Sequence, residues 1–149
     1  MGNPVSVDDV AAFILAQRGP MSAMKLQKLV YYCQAWSLVW DEEPLFRERI
    51  QAWANGPVVR ELWDHHRGLI TLGPPWRFGD AARLSPAQRE TIEAVLDYYG
   101  DKPAQWLSDL THSERPWVEA RRGLAAGERG SEEIPLEEMA DYYSGIAPH

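Results

Sequence analysis

Histidine and cysteine are the side chains of this sequence that could bind a metal or act as a nucleophile. His65 and His66 are adjacent, so on a helix their rings point in different directions and do not form the i, i+4 pair typical of a zinc site. Cys33 is the only cysteine, which excludes an intramolecular disulfide, and it lies on an apolar stripe where a buried structural thiol is expected. We therefore predict no metal, no cofactor and no cysteine nucleophile.

His112 is the remaining candidate for acid–base chemistry. It lies close in sequence to Asp109 and Glu114, and a small hydrolase could use it with one of these carboxylates. Neighbours in sequence do not make a catalytic triad, however, and the chain has no G-x-S-x-G elbow, phosphate loop or dinucleotide fingerprint. We therefore expect His112 to be a loop histidine with local hydrogen bonds in a protein that is not an enzyme, and we keep the hydrolase as the alternative.

The composition is that of a single globular domain spanning residues 1–149. Hydrophobic residues make up 45% of the 149 residues and charged residues 25%, which is sufficient for a substantial core. The net charge is -7, which disfavours nucleic-acid binding and hence a transcriptional regulator, and favours a basic partner. Most of the excess lies in the acidic segment 123–149, which holds one basic residue against six acidic residues and is expected to be solvated.

The sequence contains no sign of membrane insertion or secretion. No window reaches the 18 apolar residues needed to span a bilayer, and the N-terminal MGNPVSVDDV lacks a basic region followed by an apolar core. We therefore expect a cytoplasmic protein with no membrane partner.

A helix over residues 23–40 is predicted to organise the fold. Its apolar residues recur three or four positions apart, which places them on one side of a helix, and Ser22 is suited to be the N-cap. They are Leu26, Leu29, Val30, Cys33, Trp36, Val39 and Trp40. This helix should be the buried spine of the protein.

A second face of the same helix carries polar and aromatic residues. Lys25, Lys28 and Tyr32 are spaced i, i+3 and i+7, with Gln27 and Tyr31 beside them. We predict that they form an exposed strip that binds a partner. The alternative is an ordinary solvated face with tyrosines at its margin.

The remaining elements predict a mainly α fold of six to seven helices with at most a few short strands. Cap residues, prolines and apolar periodicity place further helices at about 7–18, 57–67, 86–99, 103–110, 116–122 and 136–145, and short strands within 48–55 and 69–72. We expect Gly56 to form a tight turn with a positive φ and Pro57 to be the first residue of its helix.

Three segments resemble the Panacea domain family, the SocA-like antitoxins of bacteria and phages. In that family a K-L-Q-K-L-L-Y-Y-A-Q helix, an E-A-W-x-x-G-P-V turn and an L-T-H-x-E-x-P-W motif occur in this order. The corresponding segments here are KLQKLVYYCQAWSLVW, PLFRERIQAWANGPVVRELW and WLSDLTHSERPWVEAR. The resemblance implies a small helical protein that neutralises a toxin encoded beside it, often by direct binding, and some members deliver the toxin to a protease.

The resemblance also implies roles for individual residues. Cys33 replaces the usual Ala of the first motif, and Gln51 replaces the acidic residue of the second. The candidate partner-binding residues are Lys25, Gln27, Lys28, Tyr31, Tyr32, His112, Ser113 and Trp117, and the structural motif residues are Trp53, Gly56 and Pro57. The expected partners are a cognate protein toxin and, for an adaptor, a protease; the identity of the toxin stays open.

Overall fold

The computed structural model describes residues 5–146 and is mainly α-helical, as predicted. Its helices are α1 (Val7–Arg18), α2 (Ala23–Trp40), α3 (Arg60–His66), α4 (Pro86–Tyr99), α5 (Ala104–His112), α6 (Arg115–Ala120) and α7 (Leu136–Ile146). Four short strands accompany them: β1 (Met21–Ser22), β2 (Ile50–Trp53), β3 (Gly56–Val59) and β4 (Thr71–Leu72). The ends of the predicted domain, residues 1–4 and 147–149, lie outside the described residues.

Helix α2 is the centre of the molecule, as its sequence predicts. It packs against α1, α4, α5 and α7, and also against β1 and β3. The Ser22 hydroxyl caps its first turn by accepting a hydrogen bond from the Lys25 amide. Because neighbours surround it, α2 buries Cys33, Trp36 and the rest of its apolar stripe up to Trp36, whereas Trp40 at its end is exposed.

Two other helices begin at the capping boxes that the sequence contains. In α1 the Ser6 hydroxyl accepts from the Asp9 amide while the Asp9 carboxylate accepts from the Ser6 amide. Ser85 and Gln88 repeat this arrangement at the start of α4, where Pro86 occupies the first turn. Both starts were predictable because a capping box is a local signal.

The second motif forms a β-hairpin in place of the predicted helix start. Strands β2 and β3 pair antiparallel, with Trp53 opposite Gly56 and Ala52 opposite Pro57. The prediction that Pro57 begins a helix is therefore wrong, since α3 begins at Arg60. A proline is compatible with β3 because this strand pairs with β2 alone within the described residues, so the missing amide proton is not required on its other edge.

The segment between β4 and α4 is rich in glycine and proline, but its centre is buried. Trp76 is buried and its indole N–H donates to the Asp8 carboxylate over 2.9 Å. The Asp80 amide donates to Asp9 over 2.7 Å, which holds the end of the segment on the start of α1. Asp8 and Asp9 thus have tertiary roles in addition to their position at a helix N-terminus.

The acidic segment 123–149 contributes to the core, which its charge did not predict. Ile134, Met139 and Tyr143 are each at most 1% exposed, and α7 packs along α2. The connection before α7 is held by Arg121, whose guanidinium donates to the carbonyl oxygens of Ala52 and Glu128. The acidic side chains of the segment are exposed, as expected for a solvated segment, whereas several of its apolar side chains are not.

Candidate functional site

The polar strip of α2 is buried, so the prediction that it forms an exposed surface is wrong. Gln27 is 3% exposed, Lys28 2%, Tyr31 1% and Tyr32 0%, whereas Lys25 is partly exposed. The physical reason is that α2 is covered on its polar side by the hairpin, α5 and α7 as well as on its apolar side by α1 and α4. Each buried polar group therefore requires a partner inside the protein.

Gln27 finds its partners on β3. Its side-chain oxygen accepts from the Val59 amide over 2.9 Å, and its side-chain nitrogen donates to the Val59 carbonyl over 3.3 Å. The same nitrogen lies 3.0 Å from His66 Nε2, which must accept because the amide nitrogen can only donate. Burial lowers the pKa of His66, so the ring is held neutral with its proton on Nδ1.

Lys28 lies against the turn of the hairpin. Its ammonium donates to the Pro57 carbonyl over 3.4 Å and forms no ion pair with any carboxylate of residues 5–146. Burial lowers the pKa of Lys28 to about 8. A lysine with one long hydrogen bond and no counter-charge is an unusual buried group.

Gly56 leaves the space that Lys28 occupies. Its φ is +124°, which confirms the predicted positive φ, and a Cβ there would lie 2.4 Å from Lys28 Cε. The sequence predicted backbone strain as the reason for glycine. The structure adds a steric reason for glycine. The side chain of Lys28, from the first motif, lies where a Cβ at position 56 of the second motif would be.

We expect Gly56→Val to lower the free energy of unfolding by about 1 to 3 kcal/mol, through backbone strain and the displacement of the Lys28 side chain together. Gly123→Val is the matched control, because Gly123 also has a positive φ of 93° but has open space where the Cβ would lie. Urea unfolding of both variants measures the difference. Equal losses of stability in the two variants would show that the contact with Lys28 does not matter.

Tyr31 and Tyr32 belong to a buried hydrogen-bond network around Glu114. The Glu114 carboxylate accepts from the hydroxyls of Tyr32 and Tyr143, each over 2.7 Å, and Tyr31 donates to the Tyr143 oxygen over 2.9 Å. Burial raises the pKa of Glu114 against the opposing effect of the two phenol hydrogen bonds. This network joins the first motif to the third and is part of the core.

His112 and Trp117 of the third motif lie against the end of the hairpin at Trp53. The Trp117 indole donates to the Trp53 carbonyl over 2.8 Å, and the His112 ring stacks on Trp117 with 4.1 Å between centroids. His112 is the last residue of α5 rather than a loop residue, because α5 extends beyond the predicted end at Leu110. Ser113 faces solvent and its hydroxyl donates to the Leu110 carbonyl. The candidate residues therefore do not form one surface.

The acid–base pair of the alternative hydrolase is not assembled. Glu114 binds two tyrosines, the Asp109 carboxylate accepts from the Gln105 side-chain amide, and His112 Nε2 is buried without a hydrogen-bond partner among residues 5–146. Burial lowers the pKa of His112, with the charge of Lys28 as a further cause. In the described part of the chain no group of His, Cys, Asp and Glu is placed to hold a metal ion, and Cys33 is fully buried.

An open groove of about 790 Å³ lies between α2, the hairpin, α3 and the segment before α7. Its floor includes Gln27 and Lys28, and its cationic side chains are Lys28, Arg60, Arg67 and Arg129. Within residues 5–146 no acidic residue lines it. This groove is the candidate binding site of the molecule, and it contains two of the candidate partner-binding residues, Gln27 and Lys28.

Aromatic and guanidinium groups form one wall of the groove. The guanidiniums of Arg60 and Arg67 lie 5.2 and 5.1 Å from the ring centroid of Trp63, and Trp53 packs edge-on against Trp63. Sequence reasoning missed this wall because Trp53 and Trp63 come from separate segments and meet only in the folded chain. A local signal did exist, since Arg60, Trp63 and Arg67 are spaced i, i+3 and i+7.

The fold and the groove define a small, mainly helical protein with a candidate binding site where its first and second motifs meet. The sequence model described as "Antitoxin SocA-like, Panacea domain" matches residues 26–118, which cover the three motif segments except for Lys25 and residues 119–121. The chain belongs to this family. Comparison with curated proteins and with solved structures found no match. Among the described residues, no helix has the length and apolar character needed to cross a bilayer.

Proposed function

We propose that this protein is an antitoxin that neutralises a cognate protein toxin by binding it directly in the bacterial cytoplasm, and that it is not an enzyme. Membership of the SocA-like antitoxin family supports the antitoxin role. Direct binding is supported by one observation, the groove beside the first and second motifs. Aromatic and arginine side chains are enriched at binding hot spots, and both form the wall of this groove. A hydrolytic role has no comparable support, because His112 and Glu114 are not paired.

The test is co-expression with the protein encoded by the neighbouring reading frame, a bacterial or phage gene under the proposal. We expect that this neighbour arrests growth when expressed alone, that co-expression restores growth, and that the two proteins elute together in size-exclusion chromatography. Growth arrest that persists while the protein is folded and abundant would contradict the proposal, and so would a neighbour that is not toxic.

Proteolytic delivery predicts a different result in the same experiment. An adaptor lowers the amount of toxin only while the host protease is present, whereas direct blocking leaves the amount unchanged. Immunoblots of the toxin in wild-type and protease-deficient hosts distinguish the two mechanisms. We expect unchanged toxin and a stable complex.

A further inference from the structure

The charge of the groove is opposite to the charge of the whole protein. The chain carries a net charge of -7, yet the charged side chains that line the groove within residues 5–146 are Lys28, Arg60, Arg67 and Arg129. Within residues 5–146, only Arg60 among them has a carboxylate partner, Asp64, at 3.2 Å. The net charge of the chain led us to expect a basic partner. This stays a prediction for the surface outside the groove, where the acidic residues lie. The groove itself favours a negatively charged occupant.

Lys28 supplies a specific position for one carboxylate. Its ammonium has three N–H donors, and the structure gives it one long hydrogen bond, to the Pro57 carbonyl. The residues beside it provide no negative charge, since His66 is neutral and Gly56 has no side chain. An anion that enters the groove therefore meets a desolvated cation with unused donors, where a charge-assisted hydrogen bond is strong.

The groove also has apolar positions at its margin. Met24 is 38% exposed and Leu69 is 56% exposed, and both line the groove with Trp53 and Trp63. Its volume is in the range of sites that hold a small ligand, so it accommodates a few residues of chain but not a folded domain. A nucleic acid is a poorer fit, because the net charge of -7 disfavours a long phosphate backbone that continues beyond the groove.

We propose that the groove binds an acidic segment of the toxin, in which one Asp or Glu carboxylate pairs with Lys28, further carboxylates pair with Arg67 and Arg129, and an apolar side chain packs at Met24 and Leu69. The identity of the partner as the toxin rests on the proposed function. The preference of the groove for an acidic segment does not, and it is testable without the toxin.

The experiment measures the binding of short peptide probes to the full-length protein by fluorescence anisotropy. The acidic probe is ELEELE-amide with a neutral fluorophore on its N-terminal amine, and the neutral and basic controls carry the same fluorophore and replace every E by Q or by K. We expect the acidic probe to bind, the controls not to bind, and the affinity to fall as salt is raised. Equal binding of the neutral probe, or no binding of the acidic probe at millimolar concentration, overturns the proposal. Tighter binding of a single-stranded oligothymidylate also overturns it.

Variants locate the binding in the groove. We expect Lys28→Met to weaken the acidic probe at least about tenfold, since it removes one partner of a buried charge pair. Arg67→Glu combined with Arg129→Glu changes only exposed side chains and is expected to weaken it by a similar factor. The matched control is Arg47→Glu with Arg83→Glu, which makes the same change of charge at exposed positions outside the groove. Equal losses in both double variants would overturn the proposal.

A growth assay with the toxin separates this inference from the proposed function. If wild-type protein protects cells and the groove variants protect equally well, the docking site is wrong and the antitoxin function stands. If wild-type protein does not protect but the acidic probe binds as expected, the antitoxin function is wrong and the preference of the groove stands. If the groove variants lose protection and the Arg47→Glu, Arg83→Glu control retains it, the result supports both the docking site and the antitoxin function.

Discussion

The Lys28→Met variant is expected to be more stable than the wild-type protein at pH 7 while losing its binding function. Burial lowers the pKa of Lys28 from 10.5 to about 8, which corresponds to a cost of about 3 kcal/mol for keeping the charged form inside the fold. Methionine has a similar length, carries no charge and adapts to irregular spaces. Thermal and urea unfolding at pH 7 should show the gain.

The pH dependence provides a second readout of the same effect. The folded protein binds fewer protons at Lys28 than the unfolded chain between pH 8 and pH 10.5, so wild-type stability rises with pH across this window relative to the variant. The advantage of Lys28→Met is therefore complete below pH 8 and disappears as the pH rises towards 10.5. The rings of His66 and His112, whose pKa values Lys28 lowers, titrate below this window.

Lys25→Met is the matched control for this prediction. Lys25 lies one turn earlier on α2 and is partly exposed, so its replacement should change stability by less than about 0.5 kcal/mol. A destabilised Lys28→Met variant would mean that the ammonium is well compensated inside the protein. A group that lowers stability is commonly retained because function needs it, so the gain in stability and the loss of binding are two consequences of one physical property.

The outcome for α2 shows what local signals predict and what they do not. Ser22 and the apolar periodicity gave the limits of α2 correctly, because caps and periodicity are properties of neighbouring residues. The burial of Lys28 and Tyr32 depends on Pro57 and Glu114, which are distant in sequence. Polar residues at helical spacing have the same sequence pattern on a solvated face and in a buried network. The sequence therefore favoured an exposed strip, which is the wrong interpretation.

The same limit applies to the hairpin and the groove. Pro57 follows a glycine and precedes a helix, which is a local pattern for a helix start, but pairing with Ala52 places it in a strand. The resemblance to the family brought Gln27 and Lys28 to attention, and both line the groove. It did not indicate Arg67 or Arg129, which become neighbours of Lys28 only in the folded chain. Long-range packing therefore decides which motif residues are structural and which are accessible.

Tyr143→Ala is expected to lower the free energy of unfolding by about 3 to 5 kcal/mol, although Tyr143 lies outside the part of the chain that matches the family. Its ring is fully buried and contacts the rings of Tyr31, Tyr32 and Trp36, so truncation leaves a cavity in the core. Its hydroxyl also donates to Glu114, which would lose one of two donors to a buried carboxylate.

Two further variants separate the contributions. Tyr143→Phe keeps the ring and removes the hydroxyl, so it should cost about 1 to 3 kcal/mol. Tyr142→Ala makes the same truncation at the next position of α7, where the side chain is only half-buried, and it should cost less than Tyr143→Ala. Urea unfolding gives all three values. A loss below about 1 kcal/mol for Tyr143→Ala would show that α7 is dispensable. A large loss of stability in Tyr143→Ala would show that α7 completes the core behind Tyr31 and Tyr32 of the family motif. By charge alone, the segment that contains α7 resembles a solvated acidic tail.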